Sequence, residues 1–274
     1  VKKVNIKQII RYIVMSTIAA VFLFPIYWMF VSAIKPTADI FAVPPVFWPQ
    51  KPVWSHFAEV FQQLPFARWI FNTAFVAGVI TIVALFTHSM SAYSLSRLRY
   101  RGRNFMFIVV ISTLMVPFSA VMVPLFILVR SFGWVNTYWA LIVPGIPNAF
   151  GIFLLRQFYL GIPRELEEAA IMDGASILNI FFRIILPISK PILAALAVFF
   201  FLANWNNFLW PLIVINSNSL KMIQVGIAGY GGQYQNPWGD IMAADFMAML
   251  PTLIIFIFLQ KYLVTSITMS GLKE

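Results

Sequence analysis

Four of the nine carboxylates in this 274-residue chain, Glu165, Glu167, Glu168 and Asp173, fall within nine residues of one another. Gly161 and Pro163 precede them, and proline suits a first helical turn. The glutamates then crowd that turn, where the helix dipole favours negative charge. Ala170 and Gly174 are four apart and share one helical face, open to a close-approaching backbone. Ile171, Met172, Leu178 and Phe182 add apolar surface. The pattern predicts a helix over about 163–180 whose chemistry is docking into a partner's groove. An interfacial helix lying on lipid headgroups is the alternative, and anionic headgroups would repel its carboxylates.

A second set of polar residues interrupts an apolar run. Asn204, Asn207 and Trp210 are spaced three apart along one expected helical stripe, and Asn206 and Trp210 are four apart. Asparagine amides both donate and accept, which matches sugar hydroxyls, and an indole face stacks on the apolar face of a sugar ring. Polar groups inside a span line a wet cavity or pair with one another. The stripe therefore reads as a solute path or as hydrogen-bonded glue between helices. No set of residues supports catalysis. There is no cysteine, the only histidines are His56 and His88, and neither Gly-x-Ser-x-Gly nor His-Glu-x-x-His occurs. No metal site is expected. The phosphate-cradling GxxxxGK[ST] sequence is also missing, so nucleotide hydrolysis is not expected in this chain.

The elements that must position these residues lie in a bilayer. The chain is 61% hydrophobic and 10% charged, with mean hydropathy +0.86. A soluble domain is about 45–50% apolar and about a quarter charged. Six apolar runs read as spans, at about 12–34, 70–93, 104–129, 137–158, 184–215 and 241–263, forming one all-α transmembrane domain over 1–274. The first run is too long for a signal peptide and has no small-residue cleavage site after it, so it is read as a retained span. Residues 35–69 carry Pro44, Pro45, Pro49 and Pro52, which forbid a continuous helix. Fourteen of the 19 basic residues then fall on one side: Lys2, Lys3, Lys7, Arg11, Arg97, Arg99, Arg101, Arg103, Arg156, Arg164, Arg183, Lys190, Lys261 and Lys273. By the positive-inside rule that side is cytoplasmic. Both termini and the acidic segment are expected there.

Three further features have two readings each. Asp245, one turn past Asp240 near the start of the sixth span, is a functional candidate or a snorkelling surface acid. His88, with Ser89 and Ser91, is a proton relay or a structural residue. The arginines at 97, 99, 101 and 103 are an orientation signal that can also meet acidic lipid, and nucleic acid is not an expected partner.

The spacing Glu168-Ala169-Ala170, Gly174, Ile184, Leu186-Pro187 resembles the EAA-loop signature of ABC importer permeases, without a gap. Other stretches resemble the carbohydrate-uptake branch, the second permease subunits of maltose-type and glycerol-3-phosphate-type importers. They are Ser32 to Pro36, Asn204 to Pro211, Trp238-Gly239-Asp240 and Gly271-Leu272-Lys273. The resemblance covers nearly the whole chain. It implies a multi-pass subunit of the cell membrane, coupled to ATP-driven sugar import. The partners it implies are a second, different permease, two ATPase subunits holding ATP and Mg, and an extracytoplasmic solute-binding protein. No cofactor is expected in this chain. The resemblance makes Glu165, Glu168, Ala169, Ala170, Asp173 and Gly174 the ATPase-docking residues. Tyr230, Gly231, Gly232 and Gln233 would form an external loop reaching the binding protein, the alternative being a flexible surface loop. The tail Ser270–Glu274 would reach between the ATPases. Glycerol-3-phosphate or another non-sugar solute is the alternative cargo. A lone ion-coupled transporter is disfavoured, since no internal repeat is visible and Asp245 is the only candidate ion ligand.

Overall fold

The computed structural model describes residues 6–233 and 237–271; of residues 232, 233, 259 and 261–271 it describes the backbone alone. The regular structure among the described residues is helical, with no strand. Four helices are long and apolar enough to cross a bilayer: Ile6–Ala33, Phe66–Arg97, Tyr138–Leu160 and the Trp238–Phe258 part of the last helix. Two more spans exist if each of two bent helix pairs counts as one.

Both of these pairs are sharply bent. Arg103–Met115 and Phe118–Ser131 meet at 103°. Pro117 is the cause. The residue before a proline is driven out of the helical region, and Val116 is extended at φ −89°, ψ 113°. In the fifth span Ile177–Ile188 and Lys190–Trp205 meet at 75°. Pro187 and Pro191 each lack an amide hydrogen to continue the helical ladder. The first half widens into a π turn over Phe181–Ile185, and Ser189, at the break, donates its hydroxyl back to Ile185 O at 2.5 Å.

The chain divides into two compact units. One comprises residues 1–67 and 225–251. In it the helix Ile6–Ala33 gives way to the proline-rich stretch in which the sequence forbids one continuous helix, and only the short helices Thr37–Ile40 and Ser55–Gln63 form there. That stretch folds back, with the Val53 amide donating to Ile34 O at 2.8 Å. Phe30 and Phe57 pack on Phe246. The His56 imidazole lies against Gly239, where a β-carbon would come within 2.3 Å of the ring; only glycine permits that approach. Lys35 is fully buried, its ammonium 3.8 Å above the centre of the Trp28 ring.

The other unit comprises residues 68–224 and 252–274. Its apolar core has two parts. One gathers Leu155, Tyr159, Ile180, Phe181, Ile185 and Phe200 around the segment that carries the acidic cluster. The other gathers Val76, Ile80, Leu141, Trp210 and Val214. Asn72 ties this second part to a loop. Its amide donates to Ser219 O and Lys221 O, and its carbonyl accepts from the Tyr138 hydroxyl at 2.6 Å.

Candidate functional site

The acidic segment is a helix, a turn and a second helix, not one helix over 163–180. The first helix, Glu165–Met172, stops at a left-handed Gly174 with φ +80°. The Gly174 amide donates to Ile171 O and the Ala175 amide to Ala170 O, both at 2.9 Å. These two bonds are a Schellman stop, which favours glycine because a β-carbon is strained there. Gly174 therefore does not extend a helical face from Ala170; it ends the helix. Ser176 then caps the next turn by accepting from the Asn179 amide. Ala170 and Ala175 both rest on the buried cluster beneath.

Most of the predicted docking residues point to the outside. Glu165, Glu168, Ala169, Asp173 and Gly174 are exposed and Ala170 is half-buried. Beside them Ile171, Met172, Ile177 and Leu178 are all more than half exposed, Met172 at 87%. A β-carbon on Gly174 would meet nothing within 4 Å, so the space over the turn is open. Such a patch, apolar with carboxylates on its margin, is what a groove in another protein can cover.

Glu167 does something else, which the sequence reading did not assign. It turns inward and pairs with Arg97 at the end of the second long helix, Oε1 to Nε at 3.1 Å. The Arg97 and Glu167 side chains are only 4% and 14% exposed. The Arg97 guanidinium also donates to Ile162 O, and the Tyr93 hydroxyl donates to Glu167 Oε2 at 3.4 Å. A buried pair needs such extra hydrogen bonds to offset its desolvation. The sequence reads Arg97 as part of an orientation signal that can also meet acidic lipid, with no partner inside the protein. The available clue was that Tyr93 and Arg97 are four apart and so share a face.

The asparagine stripe is not continuous. The helix Lys190–Trp205 ends before Asn206, and a separate helix begins at Leu209. Trp210 is 4% exposed, packs edge-on against Phe118, and donates its indole N–H to Ala140 O at 2.8 Å. It is a core residue with its polar atom already used, which overturns its place on a solute-lining face. Asn204 bonds its own helix, Nδ2 to Phe200 O at 2.8 Å. Asn206 bonds Leu202 O and accepts from Gln224. The Asn207 side chain, half-buried, has no hydrogen bond among the described residues.

The expected external loop is also different. Residues 223–233 form a helix, so Tyr230, Gly231, Gly232 and Gln233 are helical in backbone. Tyr230 is 2% exposed, with its hydroxyl 2.6 Å from Gln63 Oε1 and 2.8 Å from Asp240 Oδ2. Burial removes it from any partner's reach. Gly232 and Gln233 are described by backbone alone, as are Ser270 and Gly271 of the expected tail contact, whose residues 272–274 lie outside the described residues. His88 is buried, accepts from the Asn148 amide at 3.1 Å and stands edge-on to Phe200. These contacts favour its structural reading. Asp245 is half-buried, one turn beyond buried Asp240.

Comparison with known proteins adds four findings. Residues 89–269 match the family described as binding-protein-dependent transport system inner membrane component. The chain is 36% identical over 259 residues to the arabinooligosaccharides transport system permease protein AraQ of Halalkalibacterium halodurans, covering 93% of each. It is 32% identical over 250 residues to the sn-glycerol-3-phosphate transport system permease protein UgpE of Pectobacterium atrosepticum, covering 88% of this chain and 89% of that one. Among solved structures, a bacterial ABC transporter involved in the import of the acidic polysaccharide alginate matches with TM-score 0.81 and 26% identity, over 94% of this chain and 96% of that chain.

Proposed function

The chain belongs to the family of binding-protein-dependent transport system inner membrane components, and from that footing we propose that it is one permease subunit of an ATP-driven importer of sugars or oligosaccharides. The observation that carries the mechanism is the exposed helix and turn at Glu165–Gly174, latched from beneath by Glu167 to Arg97. The outer face, with Glu165, Glu168, Asp173 and Met172, docks on an ATPase subunit that supplies ATP and Mg. The inner face transmits that subunit's movement to the end of the helix Phe66–Arg97. The whole chain acts as one six-span transmembrane domain, the bent pairs each counting once, with both termini and the docking segment cytoplasmic. The basic residues on that side support this orientation.

A second permease completes the path. Its place is supported by the helix Ile6–Ala33, whose most apolar stretch is wholly unburied. Asn204 and Asn207 line the solute path, with Trp210 behind them in the packing. An extracytoplasmic binding protein delivers the solute, and the named relatives support a saccharide. A second reading keeps the architecture and changes the cargo to glycerol-3-phosphate, favoured by the likeness to UgpE.

The test is uptake of labelled mono- and oligosaccharides and glycerol-3-phosphate by cells lacking and then regaining this chain. Loss and rescue for a saccharide is expected. Loss for glycerol-3-phosphate alone selects the second reading. Purification of the tagged chain is expected to bring an ATPase with it, and Gly174→Asp to lose that ATPase while the chain stays in the membrane.

A further inference from the structure

A cleft of about 440 Å³ opens beside the docking segment, lined by Arg99, Arg103 and Arg164 with Tyr100, Asn104 and Phe105. No carboxylate lines it. Three arginines lining one cavity are a concentration of positive charge that attracts an anion. Among the described residues, no hydrogen bond or ion pair engages the Arg99 or Arg164 side chain. Arg103 spends one N–H on Leu98 O at 3.0 Å, which fixes its plane and leaves the rest of its fork available. Guanidinium forks match phosphate oxygens two at a time.

The surroundings say which phosphate. Phe105 lines the cleft and is 70% exposed, and the same helix continues with Met106 at 53% and Ile108 at 64% exposed. An apolar helix surface leading directly away from a cationic cleft suits an acyl chain below a headgroup. A soluble phosphate makes no use of that surface, and an acidic protein partner makes little.

We propose that this cleft binds the phosphate of an acidic phospholipid, with Arg99 and Arg103 on the membrane side and Arg164 supplied by the docking segment. Arg164 immediately precedes the helix Glu165–Met172. A lipid bridging it to Arg99 and Arg103 ties the start of that helix to the bilayer surface. The docking segment then has two anchors, a protein one at Arg97–Glu167 and a lipid one at Arg164.

The test uses the full chain purified in mild detergent and titrated with phosphatidylglycerol, with phosphatidylcholine and with inorganic phosphate, bound ligand being counted by native mass spectrometry. Phosphatidylglycerol is expected to outbind phosphatidylcholine at least tenfold, by order of magnitude. Each basic side chain near an acidic lipid is worth about fivefold, so Arg99→Gln should weaken binding about fivefold. The triple change Arg99→Gln, Arg103→Gln, Arg164→Gln should weaken it by up to about a hundredfold, erasing the preference for phosphatidylglycerol over phosphatidylcholine. Arg99→Gln is exposed and unpaired, so it keeps the test decisive where the triple variant does not fold. Equal binding of the two lipids, or no effect of Arg99→Gln, overturns the proposal. Inorganic phosphate that binds as well as the lipid and displaces it makes the ligand a soluble anion and overturns the lipid assignment. Loss of a co-purifying ATPase with lipid binding intact assigns the cleft to protein docking and overturns it equally.

Discussion

Glu167→Gln separates transmission from docking. The substitution keeps the size of the side chain and removes its charge. Arg97, 4% exposed and 3.1 Å from the lost carboxylate, then keeps its bond to Ile162 O but has a buried charge with no counter-ion. Breaking one side of a buried pair costs about 3–5 kcal/mol. The amide's remaining acceptor places this change near the low end, at about 3 kcal/mol. The cost falls on the segment that the pair holds, since the helix Glu165–Met172 is otherwise largely exposed. At 1.4 kcal/mol per factor of ten, local release becomes about a hundredfold more frequent. The outer residues Glu165, Glu168 and Asp173 are untouched. The expected result is a complex that still holds its ATPase and still hydrolyses ATP, but carries far less solute per ATP in proteoliposomes. Amide hydrogen exchange over residues 165–175 should rise about a hundredfold, where local opening governs exchange. The double change Arg97→Gln, Glu167→Gln removes both charges and should recover part of the loss. Unchanged exchange over 165–175 together with an unchanged ratio of solute to ATP refutes the latch.

The other expectations are shorter. Glu165→Gln with Glu168→Gln should weaken ATPase capture while moving thermal stability by less than about 0.5 kcal/mol, because both side chains are exposed; a large loss of stability would show them to be structural. Gly174→Asn should be tolerated better than Gly174→Ala, which costs about 1 kcal/mol or more at a left-handed position; equal stability of the two by thermal unfolding contradicts the helix-stop role. Trp210→Ala should cost about 3–5 kcal/mol of stability as a core truncation, and Trp210→Phe about 1 kcal/mol for the lost bond to Ala140 O. A change in solute KM with stability intact would return Trp210 to the solute path. Burial lowers the Lys35 amine from its ordinary range, with Asp39 partly opposing. The unfolded chain then holds more protons over the alkaline interval below about 10.4, so stability rises with pH there. Lys35→Met should flatten that rise at pH values below about 10.4, as read by thermal unfolding in detergent; an unchanged slope assigns it to another group.

Local chemistry explains what was legible in the sequence. Apolar run length and proline placement disclosed the membrane class and the break in continuous helix after residue 35, because both depend on neighbours in the chain. The acidic segment stood out because carboxylates are scarce elsewhere. Failures came where one residue type serves two geometries. A glycine four residues past an alanine reads equally as a helical face or as a helix stop. The two Schellman bonds to Ala170 and Ile171 decide for the stop. Tryptophan and asparagine read equally as solute contacts or packing, and the partners that decide, Ala140 for Trp210 and Gln224 for Asn206, lie 70 and 18 residues away. Tyr230 reads as a loop residue because glycines follow it, yet Gln63, 167 residues away, draws it inside with Asp240.

Under the proposed docking, the three glutamates of one helical turn divide their work. Successive helical residues are about 100° apart, so Glu165, Glu167 and Glu168 cannot all face one partner. Glu167 has Arg97 and Tyr93 on the inner side, and Glu165 and Glu168 remain exposed. A segment that had only outward carboxylates would bind a moving partner without conveying the movement. One that had only inward contacts would have nothing to grip. With both on a helix eight residues long, a pull applied at the exposed carboxylates reaches Arg97 across a single turn, without passing through a loop that could absorb it. The stop at Gly174 serves the same end, since it fixes where the rigid element finishes and the descent to Ile180 and Phe181 in the core begins.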